Sequence, residues 1–370
     1  YIKKIGIERL HMEEDAGKLV HSGSDRLAGS KYSLVDYNRA GIALCEIVSK
    51  PDIRSGKEAS EYASEIRRTV RYLGVSDGNM QEGSLRCDVN ISVRKGPNAP
   101  FGTKVEIKNM NSFSAIQKAC DYEIARQIEV YENGGKIFQE TRLWDEAKQL
   151  TKSMRLKEGS SDYRYFPDPD LGPIEITKAQ QEIWFKELPE LPSKKRNKYV
   201  SQFGLSAYDA RVISDEISMA NFFEETVANG AEAKLASNWV TSDIVGYLKS
   251  NKLSFSELKL SPENLAEMIN MISKNIISGK IAKEILPELI QKNISPKKLV
   301  EEKGLAMISD SSSISPIIDE LINEHPNEVQ AFKNGKTKLL GFFVGQLMKR
   351  TKGKADPKLA NKLLMEKLNS

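Results

Sequence analysis

The chain is poor in the residues that announce the commoner chemistries. Cysteine occurs three times in 370 residues, as Cys45, Cys87 and Cys120. No CxxC pair is present to hold zinc, and the scattered, odd-numbered set makes no disulfide framework. Two of the three sit at apolar positions of their segments, which predicts buried free thiols and a reducing, cytoplasmic setting. The longest apolar run, Leu339 to Met348, is far short of the roughly 20 residues that a bilayer span requires, and no signal peptide opens the chain. A nucleophile elbow, a P-loop, a GxGxxG turn and an HExxH helix are all lacking. Large excess charge is lacking too: the net +4 is modest, so any contact with nucleic acid has to come from local patches.

What is present is a mixed pattern in the first half and a helical one in the second. Leu85, Cys87, Val89, Ile91 and Val93 alternate with Arg86, Asp88, Asn90, Ser92 and Arg94, a period of two that sends one set to a core and the other to a polar face. A Gly96-Pro97-Asn98 turn leads into a second alternating run, Thr103 to Asn109, and the two predict an antiparallel hairpin. Its polar face carries Arg86, Asp88, Asn90, Glu106 and Lys108. That face is either a solvated sheet surface laced by cross-strand ion pairs or the floor of a phosphate and metal site. Ser55-Gly56-Lys57-Glu58 has capping-box spacing ahead of an amphipathic helix ending at Gly74. A second helix is predicted from about Ser112 to Tyr131, ended by Gly134-Gly135. Thr141–Trp144 and Thr151–Arg155 read as strands, and Asp162 to Leu171, rich in aromatics and proline, as an ordered loop. Strands mixed with helices predict an α+β fold.

The character changes at Leu188-Pro189-Glu190-Leu191-Pro192, beyond which everything reads as helix. Ser261-Pro262, Ser295-Pro296 and Asp356-Pro357 each set a capping side chain before a proline at the first helical position. From Lys333 onward ten cations face two anions, a balance that suits a phosphate backbone or a solvated lysine-rich helix. The chain opens on Tyr1, without methionine and within an alternating segment, and reads as a fragment of a longer protein.

Glu13, Glu14, Asp15 and Glu46 are candidate oxygen ligands for a hard cation such as Mg²⁺. Glu46 interrupts the apolar run Ala43 to Val48, so a partner, a polar cavity or a metal is expected for it, because an unpaired buried carboxylate is costly. A salt bridge to Arg39 or Arg86 is the alternative. His11 reads as structural.

The runs Leu10-His11-Met12-Glu13-Glu14-Asp15-Ala16-Gly17-Lys18, Asp36-Tyr37-Asn38-Arg39, Glu46 to Arg54, Glu82 to Asp88, Lys108 to Phe113 and Asp162 to Pro167 resemble, in the same order, the B subunit family of bacterial aspartyl/glutamyl-tRNA amidotransferases. The resemblance runs to the end of the chain. It implies an antiparallel-sheet catalytic cradle over 1–191, a connecting helical domain over 192–294 and a small basic helical tail over 295–370 that contacts tRNA through shape and backbone. It further implies an ATP- and Mg²⁺-dependent ligase. Such an enzyme phosphorylates the side-chain carboxylate of Glu-tRNA(Gln) or Asp-tRNA(Asn). Amidation then uses ammonia from a glutaminase A subunit, which a small C subunit braces. On this resemblance Glu14 and Glu46 correspond to metal-coordinating acids that also line the end of the ammonia path. Glu82, Arg86 and Asp88 are nominated beside them as catalytic, more from the hairpin face than from the family. Lys18, Arg39, Glu106 and Lys108 are the candidate nucleotide contacts, and Lys338, Lys349, Arg350, Lys352 and Lys354 the candidate tRNA contacts. The sequence departs from the family at its start, where a strand with a Gly-Leu-Glu-x-His-x-Glu pattern and about a hundred residues are missing. A tRNA-binding or assembly fragment without chemistry is therefore the alternative.

Overall fold

The structure is a computed structural model that describes residues 2–22, 31–156, 169–170, 172–307, 310–351 and 353–369. It divides into two compact units at Phe185/Lys186. Of the sequence expectations, most of the aromatic and proline-rich stretch (162–168 and 171) and Lys352 lie outside the described residues.

The first unit is α+β. Strand β1 (Ile7–Glu14) pairs antiparallel with β4 (Ala43–Ser49), and β2 (Lys18–His21) with β3 (Ser33–Asp36). Helix α1 (Gly56–Tyr72), β5 (Val89–Ile91), β6 (Val105–Lys108), α2 (Phe113–Glu132), β7 (Glu140–Asp145) and β8 (Leu150–Leu156) follow, and α3 (Lys178–Glu187) comes near the end of the unit. The four later strands form one sheet in sequence order. Two of its pairings are antiparallel, but β6 and β7 run parallel. Between them α2 carries the chain back to the starting end of the sheet, as a parallel crossover requires.

Local signals set the helix starts. Ser55 Oγ accepts from Glu58 N–H at 3.2 Å, and the Glu58 carboxylate accepts from Arg54 N–H at 2.7 Å. Ser112 Oγ accepts from Ala115 N–H at 3.0 Å. Gly56 fits where it does because a Cβ there would lie 2.3 Å from the Gln117 carbonyl oxygen, so α1 meets α2 almost backbone to backbone. The hairpin register is Val89↔Ile107, Asn90↔Glu106 and Ile91↔Val105. It is shorter than its alternation suggests, because Ser84 and Leu85 N–H donate to the Asn79 carbonyl and turn the chain away from the ladder. The alternation in exposure nevertheless continues from Leu85 to Ile91.

The core of this unit joins Ala59 and Ala63 of α1, Ile91, Ile107 and Trp144 of the sheet, and Ile116, Ala119 and Cys120 of α2. Burial raises the Cys120 thiol pKa to about 12 and the half-buried Cys87 to about 11. Cys45 is exposed, unlike the buried state that its apolar run predicts. The reason is the β1/β4 ribbon, whose apolar residues are open to solvent in this chain: Leu10 is 57% and Met12 66% exposed.

Among the described residues of this unit, the Glu123 side chain is fully buried. Glu123 accepts from Arg126 Nη2 and Nε (2.6 and 3.0 Å), Gln127 Nε2 (2.9 Å) and Thr151 Oγ1 (3.0 Å), with Arg142 Nε at 3.6 Å. Gln127 in turn donates to Ile91 O and accepts from Val93 N–H, both at 3.2 Å, as a peptide unit of a further strand would. An α2 side chain thus closes the β5 edge.

The second unit is helical, from Pro192–Ser201 to Pro357–Asn369. Ser261, Ser295 and Asp356 cap their helices, accepting from Asn264, Lys298 and Lys358 N–H. Tyr199, Phe223, Ile244, Leu265, Ile269 and Leu289 belong to one core, which also takes in Leu299 and Val300. Ile314, Ile318, Phe332, Phe343, Leu347 and Leu364 belong to another. No helix among the described residues is long and apolar enough to cross a membrane.

Glu123→Ala leaves Arg126 and Arg142 without their buried acceptor. The expected loss is about 3 kcal/mol, the scale for removing one partner of a buried ion pair, read as a lower urea midpoint, with Glu123→Gln losing less.

Candidate functional site

Residues 37–42 form a tight turn between β3 and β4. Asn38 N–H donates to the Asp36 carboxylate, Ala40 N–H to Tyr37 O and Ile42 N–H to Arg39 O, while Gly41 takes φ +79°. Asp15, just past β1, binds the turn by its backbone: its N–H donates to Ile42 O at 2.8 Å and its carbonyl accepts from Gly41 N–H at 2.9 Å. The turn thereby aims Arg39 across the site. Arg39 Nε donates to the Asp15 carboxylate at 2.9 Å, and Nη1 to Gly83 O and Glu82 O at 3.2 and 3.4 Å.

The loop that Arg39 grips is itself well tied. Asp77 accepts from Asn79 N–H and Asn79 Oδ1 from Gln81 N–H, while Arg67 Nε donates to Gly78 O. Hydrogen bonds from Asn79 and Ser84 hold the Asp77 carboxyl below its usual range. Gly83, at φ +78°, lies under two guanidinium groups: a Cβ there would be 3.1 Å from Arg39 Nη1 and 3.6 Å from Arg86 Nε.

The nominated residues fall into three places. Glu14, Arg39, Glu82 and Arg86 converge on the turn and the loop. Glu14 Oε2 lies 3.6 Å from the position of a Gly41 Cβ, and Arg86 has no acidic partner among the described residues. Lys18 is exposed on β2, opposite Asp36 in the register. Asp88, Glu106 and Lys108 form a ladder on the sheet: Lys108 Nζ lies 2.7 Å from Asp88 and 3.7 Å from Glu106, which also accepts from Thr141 Oγ1 at 2.9 Å. Burial works to lower the Lys108 pKa, but the two carboxylates outweigh it and raise the value. These three are thus ion-paired with one another on the sheet.

Glu46 departs from its expected surroundings. Its carboxylate is half exposed and pairs with Arg9 at 3.2 Å, not with Arg39 or Arg86. Because β4 is open to solvent here, the acid needs no buried partner. It stands opposite His11 in the ladder, whereas Glu14 stands three positions further along, opposite Ala43. An odd separation puts the two acids on opposite faces of the ribbon. Mg²⁺ demands close, near-octahedral oxygen ligation, and the described residues bring no three acid, histidine or cysteine side chains together as a metal group. Glu14 and Glu46 thus stand apart in this arrangement. Asp15, a further candidate ligand, is engaged by Arg39.

In the basic tail, Lys338 and Lys349 have no acidic partner among the described residues. Arg350 is paired with Glu320 at 3.2 Å and with Glu324, and Lys354 donates to Gly304 O at 2.5 Å. Asn79 and Gly83 were not singled out from the sequence; their signal was a polar, glycine-bearing loop ahead of the alternating run.

A family model described as the GatB/GatE catalytic domain matches residues 1–182, and another described as the GatB domain matches 221–368. The chain belongs to the GatB family. Among curated GatB relatives, the B subunit of the aspartyl/glutamyl-tRNA(Asn/Gln) amidotransferase of Prochlorococcus marinus (strain MIT 9312) is 95% identical over the whole chain, which covers 75% of that protein. The protein of the same description from Prochlorococcus marinus subsp. pastoris (strain CCMP1986 / NIES-2087 / MED4) is 87% identical, with 76% covered. That of Synechococcus sp. (strain CC9605) is 71% identical, with 74% covered. The loop and turn built around Arg39 lie inside the region matched to the GatB catalytic domain.

Gly83→Ala and Gly74→Ala separate space from conformation. Both residues have positive φ, which costs a substituted side chain about 1 kcal/mol, but Gly74 faces open space whereas Gly83 faces Arg39. Thermal unfolding should register both substitutions, and catalytic activity only Gly83→Ala.

Proposed function

We propose that the first unit of this chain activates a carboxylate by phosphorylation and that its basic tail holds the tRNA bearing that carboxylate. Membership of the GatB family makes it the B subunit of a tRNA-dependent amidotransferase, a carbon–nitrogen ligase acting on misacylated tRNA together with partner subunits. A substrate of the translation apparatus supports the cytoplasmic setting expected from the sequence.

A carboxylate does not accept ammonia, because no oxygen can leave. ATP supplies the missing leaving group: a carboxylate oxygen of Glu-tRNA(Gln) or Asp-tRNA(Asn) attacks the terminal phosphorus, and ADP departs. Ammonia then adds to the carbonyl carbon, loses a proton, and phosphate leaves with the electrons of the C–O bond. Positioning and fixed charge carry most of the catalysis in phosphoryl transfer. The observation that carries this reading is the Arg39 bridge, which brings the β3–β4 turn and loop 76–85 together beside Glu14. Glu46, on the other ribbon face with His11 and Arg9, suits the ammonia side. The Lys108 ladder stabilises the sheet behind them.

The test is ATP hydrolysis by the full-length protein assembled with its glutaminase and small partners, with glutamine, with and without Glu-tRNA(Gln). Hydrolysis should require the charged tRNA and fall about a hundredfold in Glu14→Gln, a loss typical of one preorganised polar group. Glu46→Gln should keep ATP hydrolysis and lose amide product. Binding of tRNA with no turnover in the wild type would instead make the chain an assembly module.

The tail is tested by salt. Lys338→Ala with Lys349→Ala should weaken tRNA binding and lower the salt slope by about 2, close to one for each phosphate neutralised by a removed lysine. Arg350→Ala, whose guanidinium is held by Glu320 and Glu324, should leave the slope unchanged.

A further inference from the structure

We propose that the space over Gly83 is a phosphate-oxygen subsite in which Arg86 makes the contact and Arg39 is a positioning residue. This rests on the reading of the first unit as a phosphorylating site and assigns roles within it.

Two guanidinium groups crowd one glycine. Arg39 Nη1 and Arg86 Nε and Nη2 all lie within 3.7 Å of the point where a Gly83 Cβ would stand. Like charges so close repel unless an anion is shared. Asp15 answers one of them through Arg39 Nε at 2.9 Å, and no acid among the described residues answers the other. Arg39 is already occupied: besides Asp15 it donates to the carbonyls of Glu82 and Gly83. Arg86 is exposed, and no described residue engages its planar fork of donors, the geometry that matches two oxygens of a phosphate.

The surrounding backbone holds this arrangement before any ligand arrives. Gly83 adopts φ +78° and offers no side chain to fill the space. Asn79 O accepts from Ser84 and Leu85 N–H, which fixes the chain immediately before Arg86. Arg39 acts on the subsite through Glu82 and Gly83, so its removal should loosen the loop without removing a group that touches the ligand.

Phosphate oxygen could come from the nucleotide or from the acceptor end of the tRNA. The experiment measures, on the full-length protein in its assembled enzyme, the Kd of a non-hydrolysable ATP analogue and the Kd of tRNA, for wild type, Arg86→Ala, Arg86→Lys and Arg39→Ala. Arg86 is exposed, so its variants should fold. If the nucleotide fills the subsite, Arg86→Ala weakens the analogue about tenfold or more, in line with loss of a bidentate charged interaction, and leaves tRNA unchanged. If the tRNA fills it, the tRNA Kd rises, its salt slope drops by about 1, and the analogue is unaffected. Arg86→Lys should recover part of either loss. Arg39→Ala should increase hydrogen exchange of the loop amides at 81–85 along with the same Kd. Both Kd values within twofold of wild type in Arg86→Ala would overturn the subsite. Glu14→Gln abolishing turnover beside such an unaffected Arg86→Ala would leave the phosphorylation reading standing. An enzyme without ATP turnover whose Arg86→Ala variant still loses analogue or tRNA would do the reverse.

Discussion

The Arg39 guanidinium is the point at which three otherwise separate pieces of backbone become one site. It is presented by a turn that needs a glycine at φ +79°, and it reaches a carboxylate just past β1 and two carbonyls of the loop that follows α1. Charged hydrogen bonds are about twice as strong as neutral ones, and the planar guanidinium makes several of them at once. Through Asp15 they tie the end of the β1/β4 ribbon to loop 76–85. Without that tie, Glu14 and Arg86 would be surface residues on unrelated segments.

Behind that site the sheet needs its own support, because β5 is only three residues long and sits at an edge. The α2 helix supplies it with polar side chains. Gln127 completes the β5 hydrogen bonding, and Glu123 orders Gln127, Arg126, Arg142 and Thr151 around one buried carboxylate. Glu140 joins the same group. Burial raises its pKa, but hydrogen bonds from Ser153 and Arg142 and the nearby positive charges outweigh it and hold the carboxyl below its usual range. Its contribution to stability is therefore complete above the ordinary glutamate range and disappears as pH falls through the depressed value. A buried charge of this kind also resists sliding between helix and sheet, since any shift strands it.

Much of this architecture was legible in the chain, and what was legible was local. Ser55, Ser112, Ser261 and Ser295 announce helix starts because a cap acts within three residues. The β5–β6 pairing shows as alternation for the same reason. What stayed hidden depends on residues far apart in sequence. Glu46 looked like an acid inside an apolar strand, and only the open ribbon and the approach of Arg9 from β1 show how its charge is met. Arg350 looked like part of a basic surface until Glu320 and Glu324, a helix away, turned out to hold it. Glu123 sits in α2 with the spacing of an ordinary helix charge, and nothing nearby marks it as buried. The parallel β6–β7 pair was equally invisible, because strand direction is decided by how α2 packs.

The two helical cores have no buried residue in common: one runs from Tyr199 to Val300, the other from Ile314 to Leu368. Substitutions more than about 7–10 Å apart that share no partners act additively. Sequence drift in the last core should thus accumulate without compensating changes in the first. A lineage can therefore remodel the last helices by ordinary point mutation, one tolerated step at a time, while the helices that precede them keep their sequence.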